Sequence, residues 1–136
     1  MSFEQIVGWD EIESLVKILS NKILKLERTF SSITTLSRGG LVPSRLLADH
    51  LGIKKIFVDE KIISSDSLVV DDIFDSGDTF DKIINCTDNQ SKLVFTTLFA
   101  RCDKKYPKQL LYAKKTNNSA YVVFPWDCLE FQRSKK

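Results

Sequence analysis

Between Asp10 and Arg28 the apolar positions Ile12, Leu15, Val16, Leu19, Ile23 and Leu26 recur at three- and four-residue intervals, which is one face of an α-helix. Asp10 followed by Glu13 resembles a capping box, so the spacing predicts an amphipathic helix over roughly residues 11–28. A short β-prone run from Ser32 to Leu36 then ends in Ser37-Arg38-Gly39-Gly40. Pro43 stands in the first turn of a second predicted helix reaching Leu51, with Gly52 as its C-terminal cap. Lys55 to Val58 reads as another strand, and Ser67 to Val70 as a third that is apolar on both faces and expected to stop at Asp71-Asp72. Continuous apolar strands suit a parallel sheet covered on both sides. Further along, Phe80 to Asn85 predicts a short helix and Leu93 to Ala100 a strand. Gln109 to Ala113 and Ala120 to Phe124 predict two more strands towards a sheet edge. This alternation predicts an α/β fold, a doubly wound and mostly parallel sheet, built as a single domain over residues 1–136.

Composition narrows the picture. A chain of 136 residues, 43% hydrophobic and 28% charged, suits one domain with its own apolar core. Five glycines and three prolines are too few for a linker or a disordered chain. Three of those glycines fall in two short segments, SRGG and DSGDT, where backbone geometry or close ligand approach is expected to require them. The net charge of +2 is unevenly spread: residues 1–61 carry +1, residues 62–100 carry −5 and residues 101–136 carry +6. The basic end has few aromatic residues among its cations, so no nucleic-acid partner is expected. Cys86, Cys102 and Cys128 lack the spacing of a zinc site or redox pair and are expected to be reduced, mostly buried thiols of a cytoplasmic protein. Neither a secretory leader nor a membrane span is expected from the hydropathy pattern.

The segment Leu68-Val69-Val70-Asp71-Asp72-Ile73-Phe74-Asp75-Ser76-Gly77-Asp78-Thr79 carries the chemistry. It joins a buried strand, two carboxylates at its carboxyl end and a small polar turn opening a helix. Ligands of open α/β sheets bind at the carboxyl ends of strands, near the point where strand order reverses. The turn from Ser76 to Thr79 would aim N–H groups and hydroxyls at an anion, aided by the positive end of the helix. Asp71 and Asp72 suit sugar hydroxyls or a hydrated divalent cation. Together these features describe a ribose 5-phosphate site.

The segment VVDDIFDSGDT resembles the signature of the type I phosphoribosyltransferases. Two further segments resemble the xanthine-guanine branch of that family. Thr35-Leu36-Ser37-Arg38-Gly39-Gly40-Leu41-Val42-Pro43 is similar to its pyrophosphate loop, and Tyr121-Val122-Val123-Phe124-Pro125-Trp126-Asp127 to its closing segment. The resemblance implies a type I fold with a small C-terminal hood over the base. It implies an enzyme, a pentosyltransferase that moves the 5-phosphoribosyl group from phosphoribosyl diphosphate to a purine base in salvage, releasing pyrophosphate. It implies that Asp71 and Asp72 bind the ribose hydroxyls and hold magnesium, and that Ser76, Gly77, Asp78 and Thr79 wrap the 5-phosphate. Ser37, Arg38, Gly39 and Gly40 would hold the pyrophosphate, with a non-prolyl cis peptide after Arg38. Asp75 would serve as acid/base at the imidazole nitrogen of the purine and also border phosphoribosyl diphosphate. Tyr121 would stack on the base, with the Val122 backbone and Asp127 reading its edge. A cation donating to the purine oxo group would be Arg101, Lys104 or Lys105. The resemblance also implies a homo-oligomer, dimer or tetramer. One departure stands out: only nine residues, Asp59 to Ser67, separate the second strand from the acidic one, where the family carries a long closing loop. A protein of the same fold that binds phosphoribosyl diphosphate or a nucleotide and regulates a partner is the alternative this departure favours.

Overall fold

The computed structural model describes residues 4–134. In chain order its elements are β1 (Glu4–Ile6), α1 (Trp9–Leu24), β2 (Ser32–Thr35), α2 (Leu41–Leu51), β3 (Ile56–Val58), β4 (Ser67–Phe74), α3 (Asp78–Asn85), β5 (Phe95–Ala100), β6 (Leu110–Lys115), β7 (Tyr121–Val123) and α4 (Cys128–Ser134). Five strands form one parallel sheet in the order β3-β2-β4-β5-β6. From β2 the chain runs outward to β3 on one side, and with β4 it starts outward on the other. The strand order therefore reverses between β2 and β4, and a crevice opens there at their carboxyl ends.

The apolar character of β4 follows from its central place. Leu68, Val69 and Val70 are fully buried. Leu68 and Val70 join the core built with Leu15, Leu19, Ile33 and Leu47 from α1, β2 and α2. Val69, one residue out of phase, faces the opposite layer with Phe80, Ile83 and Phe95. Both faces of the sheet are thus covered, as the doubly wound pattern requires.

Several boundaries differ from the sequence reading. Helix α1 starts at Trp9, so Asp10 lies inside the first turn, and the Gly8 N-cap has no side-chain cap; the capping box is not formed. The helix ends at Leu24, and Glu27 in the left-handed region (φ 53°) turns the chain before Arg28. The Arg28 guanidinium leaves the helix face and donates to the carbonyls of Lys92 and Ser65, each at 2.6 Å. Strand β4 does not stop at the aspartates but continues to Phe74, because pairing with β5 carries on through Asp71 with Thr97 and Ile73 with Phe99. Strand β7 lies outside the main sheet: it pairs in parallel with β1, Glu4 opposite Tyr121 and Ile6 opposite Val123, to form a separate two-stranded hood. Among the cysteines, Cys102 and Cys128 are exposed and Cys86 half-buried, all three free, so the expectation of mostly buried thiols fails. No helix of the described residues is long and apolar enough to cross a membrane.

Candidate active site

Two loops meet at the switch point. The first follows β2, and its glycines are required by close approach: a Cβ on Gly40 would stand 1.9 Å from Thr35 Oγ1 and 2.7 Å from the Val70 carbonyl, and one on Gly39 2.7 Å from Asp72 Oδ2. The loop thereby lies directly against the carboxyl end of β4, where Thr35 Oγ1 donates to the Val70 carbonyl at 2.7 Å. The peptide between Ser37 and Arg38 is cis, one bond before the position the resemblance implies. Ser37 donates its N–H to Asp59 Oδ1 at 2.9 Å and its hydroxyl to Asp59 Oδ2. These bonds hold the Asp59 carboxyl below the usual carboxylate range. Arg38 reaches outward and pairs with Glu130 at 3.3 Å.

The second loop begins in the sheet. The Asp72 N–H donates to Asp71 Oδ1 at 2.9 Å and the Ile73 N–H to Asp72 Oδ1 at 2.8 Å. Both carboxyl groups are half-buried, and removal from water raises both. Asp72 is pushed up to about 8, chiefly by burial and then by the negative charge of Asp71 beside it. Such a pair is short of positive charge and of hydrogen-bond donors, which sugar hydroxyls or a divalent cation supply. Gly77 then adopts φ +92°, a left-handed conformation that starts α3 and that side-chain-bearing residues rarely take. Asp71, Asp72, Asp75, Ser76, Gly77, Asp78 and Thr79 line one cavity of about 340 Å³ at the start of α3, where the Asp78 N–H donates to Ser76 Oγ at 3.3 Å. Asp78 is exposed.

Asp75 sits just beyond β4, exposed, and its partner is a cation rather than another aspartate. Arg101 Nε donates to Asp75 Oδ1 at 3.1 Å, and Arg101 Nη1 donates to the Ala120 carbonyl at 2.6 Å. The Arg101 side chain is only 11% exposed. Its carbonyl accepts the Tyr106 hydroxyl. Arg101 is therefore spent on Asp75 and on the strand leading into the hood, while Lys104 and Lys105 are exposed and line neither cavity of the groove.

The hood completes the groove. A second cavity, of about 380 Å³, is lined by Arg38, Gly39, Asp72, Tyr121, Asp127, Glu130, Phe131 and Ser134. Because Asp72 lines both cavities, they form one groove running across the ends of β2 and β4. Tyr121 is exposed and Val122 is buried. Burial raises the Asp127 carboxyl, and the charges of Asp72 and Glu130 add to the effect. Trp126 serves packing: its ring stacks on Phe124 at 4.9 Å and meets Trp9 at 5.9 Å. Asp59, Glu130, Phe131 and Ser134 were not singled out in the sequence.

The segment between β3 and β4 is short and also tied down. Ile63 is buried, pairs with Thr87, donates its N–H to the Cys86 carbonyl at 2.8 Å and accepts the Asp88 N–H at 3.0 Å. The Ser65 N–H donates to Asp88 Oδ1 at 2.9 Å. This segment is a packed strap against the connection after α3.

No protein-family model matches the chain. The xanthine-guanine phosphoribosyltransferase of Vibrio parahaemolyticus is 30% identical over 149 residues, an alignment spanning 93% of this chain and 91% of that protein. Among solved structures, the xanthine-guanine-hypoxanthine phosphoribosyltransferase of Helicobacter pylori superposes with a TM-score of 0.76 at 17% identity, covering 96% of this chain and 99% of its own. The purine phosphoribosyltransferase of Pyrococcus horikoshii gives 0.69 at 20% identity, covering 90% and 93%. Full-length similarity of that degree, with the acidic signature and the SRGG loop facing each other across the switch point, assigns the chain to the xanthine-guanine phosphoribosyltransferases of the type I family, enzymes of the glycosyltransferase type.

Proposed function

We propose that this purine phosphoribosyltransferase uses an oxo-purine of the guanine, xanthine or hypoxanthine kind, joining it to the 5-phosphoribosyl group of phosphoribosyl diphosphate and releasing pyrophosphate. The observation that carries this reading is the groove. Asp72 stands where its two ends join, with the start of α3 at one end and Arg38 with the Tyr121 ring at the other. In this reading Ser76, Gly77, Asp78 and Thr79 receive the 5-phosphate, largely through N–H groups of the first helical turn. Asp71 and Asp72 accept the ribose hydroxyls. Ser37, Arg38, Gly39 and Gly40 receive the diphosphate, Tyr121 stacks on the base, and the Val122 backbone and Asp127 read its edge.

The bond from the anomeric carbon to the diphosphate oxygen breaks, and a bond to the imidazole nitrogen of the base forms. The proton displaced from that nitrogen passes to the Asp75 carboxylate. Arg38 neutralises charge developing on the leaving diphosphate. Arg101 is a positioning residue: one guanidinium fixes Asp75 and the carbonyl just before Tyr121, coupling the proton acceptor to the base platform. The residues present fit magnesium. Asp71 and Asp72, two half-buried carboxyl groups side by side in β4, would hold it, and a divalent cation would relieve their crowding. When bound, it supplies further charge neutralisation of the diphosphate.

One observation favours the second reading, a nucleotide-binding regulator of the same fold: the packed strap around Ile63 offers no closing loop from the usual place. Turnover with guanine, xanthine, hypoxanthine and adenine separates the two. The expected result is nucleotide from at least one oxo-purine and none from adenine, with Asp75→Asn slowing kcat by about 10²- to 10⁴-fold. Tight binding of phosphoribosyl diphosphate with no turnover of any base establishes the regulator instead.

A further inference from the structure

The strap between β3 and β4 is pinned, and a different element covers the groove. Helix α4, seven residues long and without a fully buried side chain, leaves the main body after the turn at Pro125–Asp127 and lies over the hood cavity. It lines that cavity with Glu130, Phe131 and Ser134, of which the first two differ in chemistry. Glu130 Oε2 pairs with Arg38 Nη2 at 3.3 Å, so a carboxylate occupies the cation of the pyrophosphate loop. Phe131, half-buried, lies nearly parallel to Tyr121, with ring centroids 5.8 Å apart and planes inclined by 15°. Two parallel aromatic faces on one cavity suit a flat heteroaromatic guest. The two rings now stack on each other, so a flat guest enters between them only when α4 moves away from the hood.

We propose that α4 supplies two substrate-handling residues: Phe131, which covers the face of the purine opposite Tyr121, and Glu130, a positioning residue that holds Arg38 until the diphosphate displaces it. This rests on the reading of the groove given above, in which Arg38 meets the diphosphate and Tyr121 the base. The two contacts couple the ends of the site. Diphosphate arriving at Arg38 releases Glu130, which stands one residue before Phe131 on the same helix. Arg38 and Glu130 are both largely exposed, 79% and 69%, so their pairing is weak enough to be exchanged for a phosphate group.

Steady-state kinetics on the full chain, with each substrate varied in turn, and calorimetric binding of magnesium phosphoribosyl diphosphate and of guanosine monophosphate test this. Phe131→Ala is expected to raise KM for the base about tenfold, the size of a lost base–aromatic stack, with KM for phosphoribosyl diphosphate moved less than twofold. Phe131→Tyr is expected to restore the base KM. Glu130→Gln is expected to lower KM and Kd for phosphoribosyl diphosphate several-fold, because a competing carboxylate is removed, without lowering base affinity. Thermal midpoints within a few degrees of the unsubstituted protein establish that each variant is folded. A base KM unchanged or lowered by Phe131→Ala, or phosphoribosyl diphosphate affinity unchanged or weakened by Glu130→Gln, overturns the proposal while leaving the groove assignment standing. An unsubstituted protein that binds neither ligand overturns that assignment and this proposal together.

Discussion

The chemistry of this site is concentrated in a few residues whose surroundings leave little freedom. Asp71 and Asp72 are neighbours in a strand, half-buried, and neither forms an ion pair among the described residues. The consequence for pH follows from the direction of the shift. Asp72 has an ordinary value of 3.8 and is raised to about 8 in the folded protein, so its carboxyl favours the folded state fully below 3.8. That contribution is lost as pH rises through about 8. Between pH 5 and 9 the ligand-free protein is therefore expected to lose more thermal stability than Asp72→Asn, with magnesium phosphoribosyl diphosphate restoring part of the loss only in the former. Unfolding followed by circular dichroism across that range checks it, and parallel curves for the two proteins would refute the assignment of crowding to this pair. Residue-level legibility in the sequence was high here, because a strand apolar on both faces followed by DDIFDSGDT has few other uses. It was lower at Asp75, whose partner Arg101 comes from the end of another strand and appears only once β4 and β5 are paired. The same pairing explains why Arg101, one of three cations expected as donors to the purine oxo group, is bound to Asp75 and the Ala120 carbonyl.

At the scale of elements, what was legible tracks how each element buries itself. α2, β4 and β5 hide continuous or periodic apolar sets, and β2 is a short β-prone run, so the pattern announced them. Strand β1 is three residues long, and among the described residues its strand partner is β7 near the other end of the chain, a pairing no local pattern encodes. Helix α4 has no fully buried residue and thus no apolar stripe to read. The strap between β3 and β4 shows the limit in the other direction: its shortness was visible, but its anchoring through Ile63 was not. Ile63 is 2% exposed and packs in the layer with Ile83 and Phe95. Ile63→Ala is accordingly expected to cost about 2–5 kcal/mol of unfolding free energy, the usual loss for a buried aliphatic side chain. Denaturant unfolding measures this directly, and a loss below about 0.5 kcal/mol, the size seen at exposed sites, would mean that the segment moves as a lid after all.

For the whole molecule, the uneven charge acquires a meaning. The acidic middle of the chain supplies the strand end at the centre of the groove. Arg38 and Arg101, from segments of positive net charge, flank it at the positions proposed for the leaving group and for proton transfer. The fold brings these together because β2 and β4, distant in sequence, are hydrogen-bonded neighbours. In the proposed reaction a cation-like sugar would be exposed to water unless something covered it, and the element lining this groove is α4 rather than the strap. The central claim is tested most directly by following guanine, phosphoribosyl diphosphate, nucleoside monophosphate and pyrophosphate together in one magnesium-containing reaction. The account predicts one nucleotide and one pyrophosphate for each guanine consumed. Pyrophosphate released with ribose 5-phosphate and no loss of guanine, or no product at all from a tightly bound substrate, would contradict it.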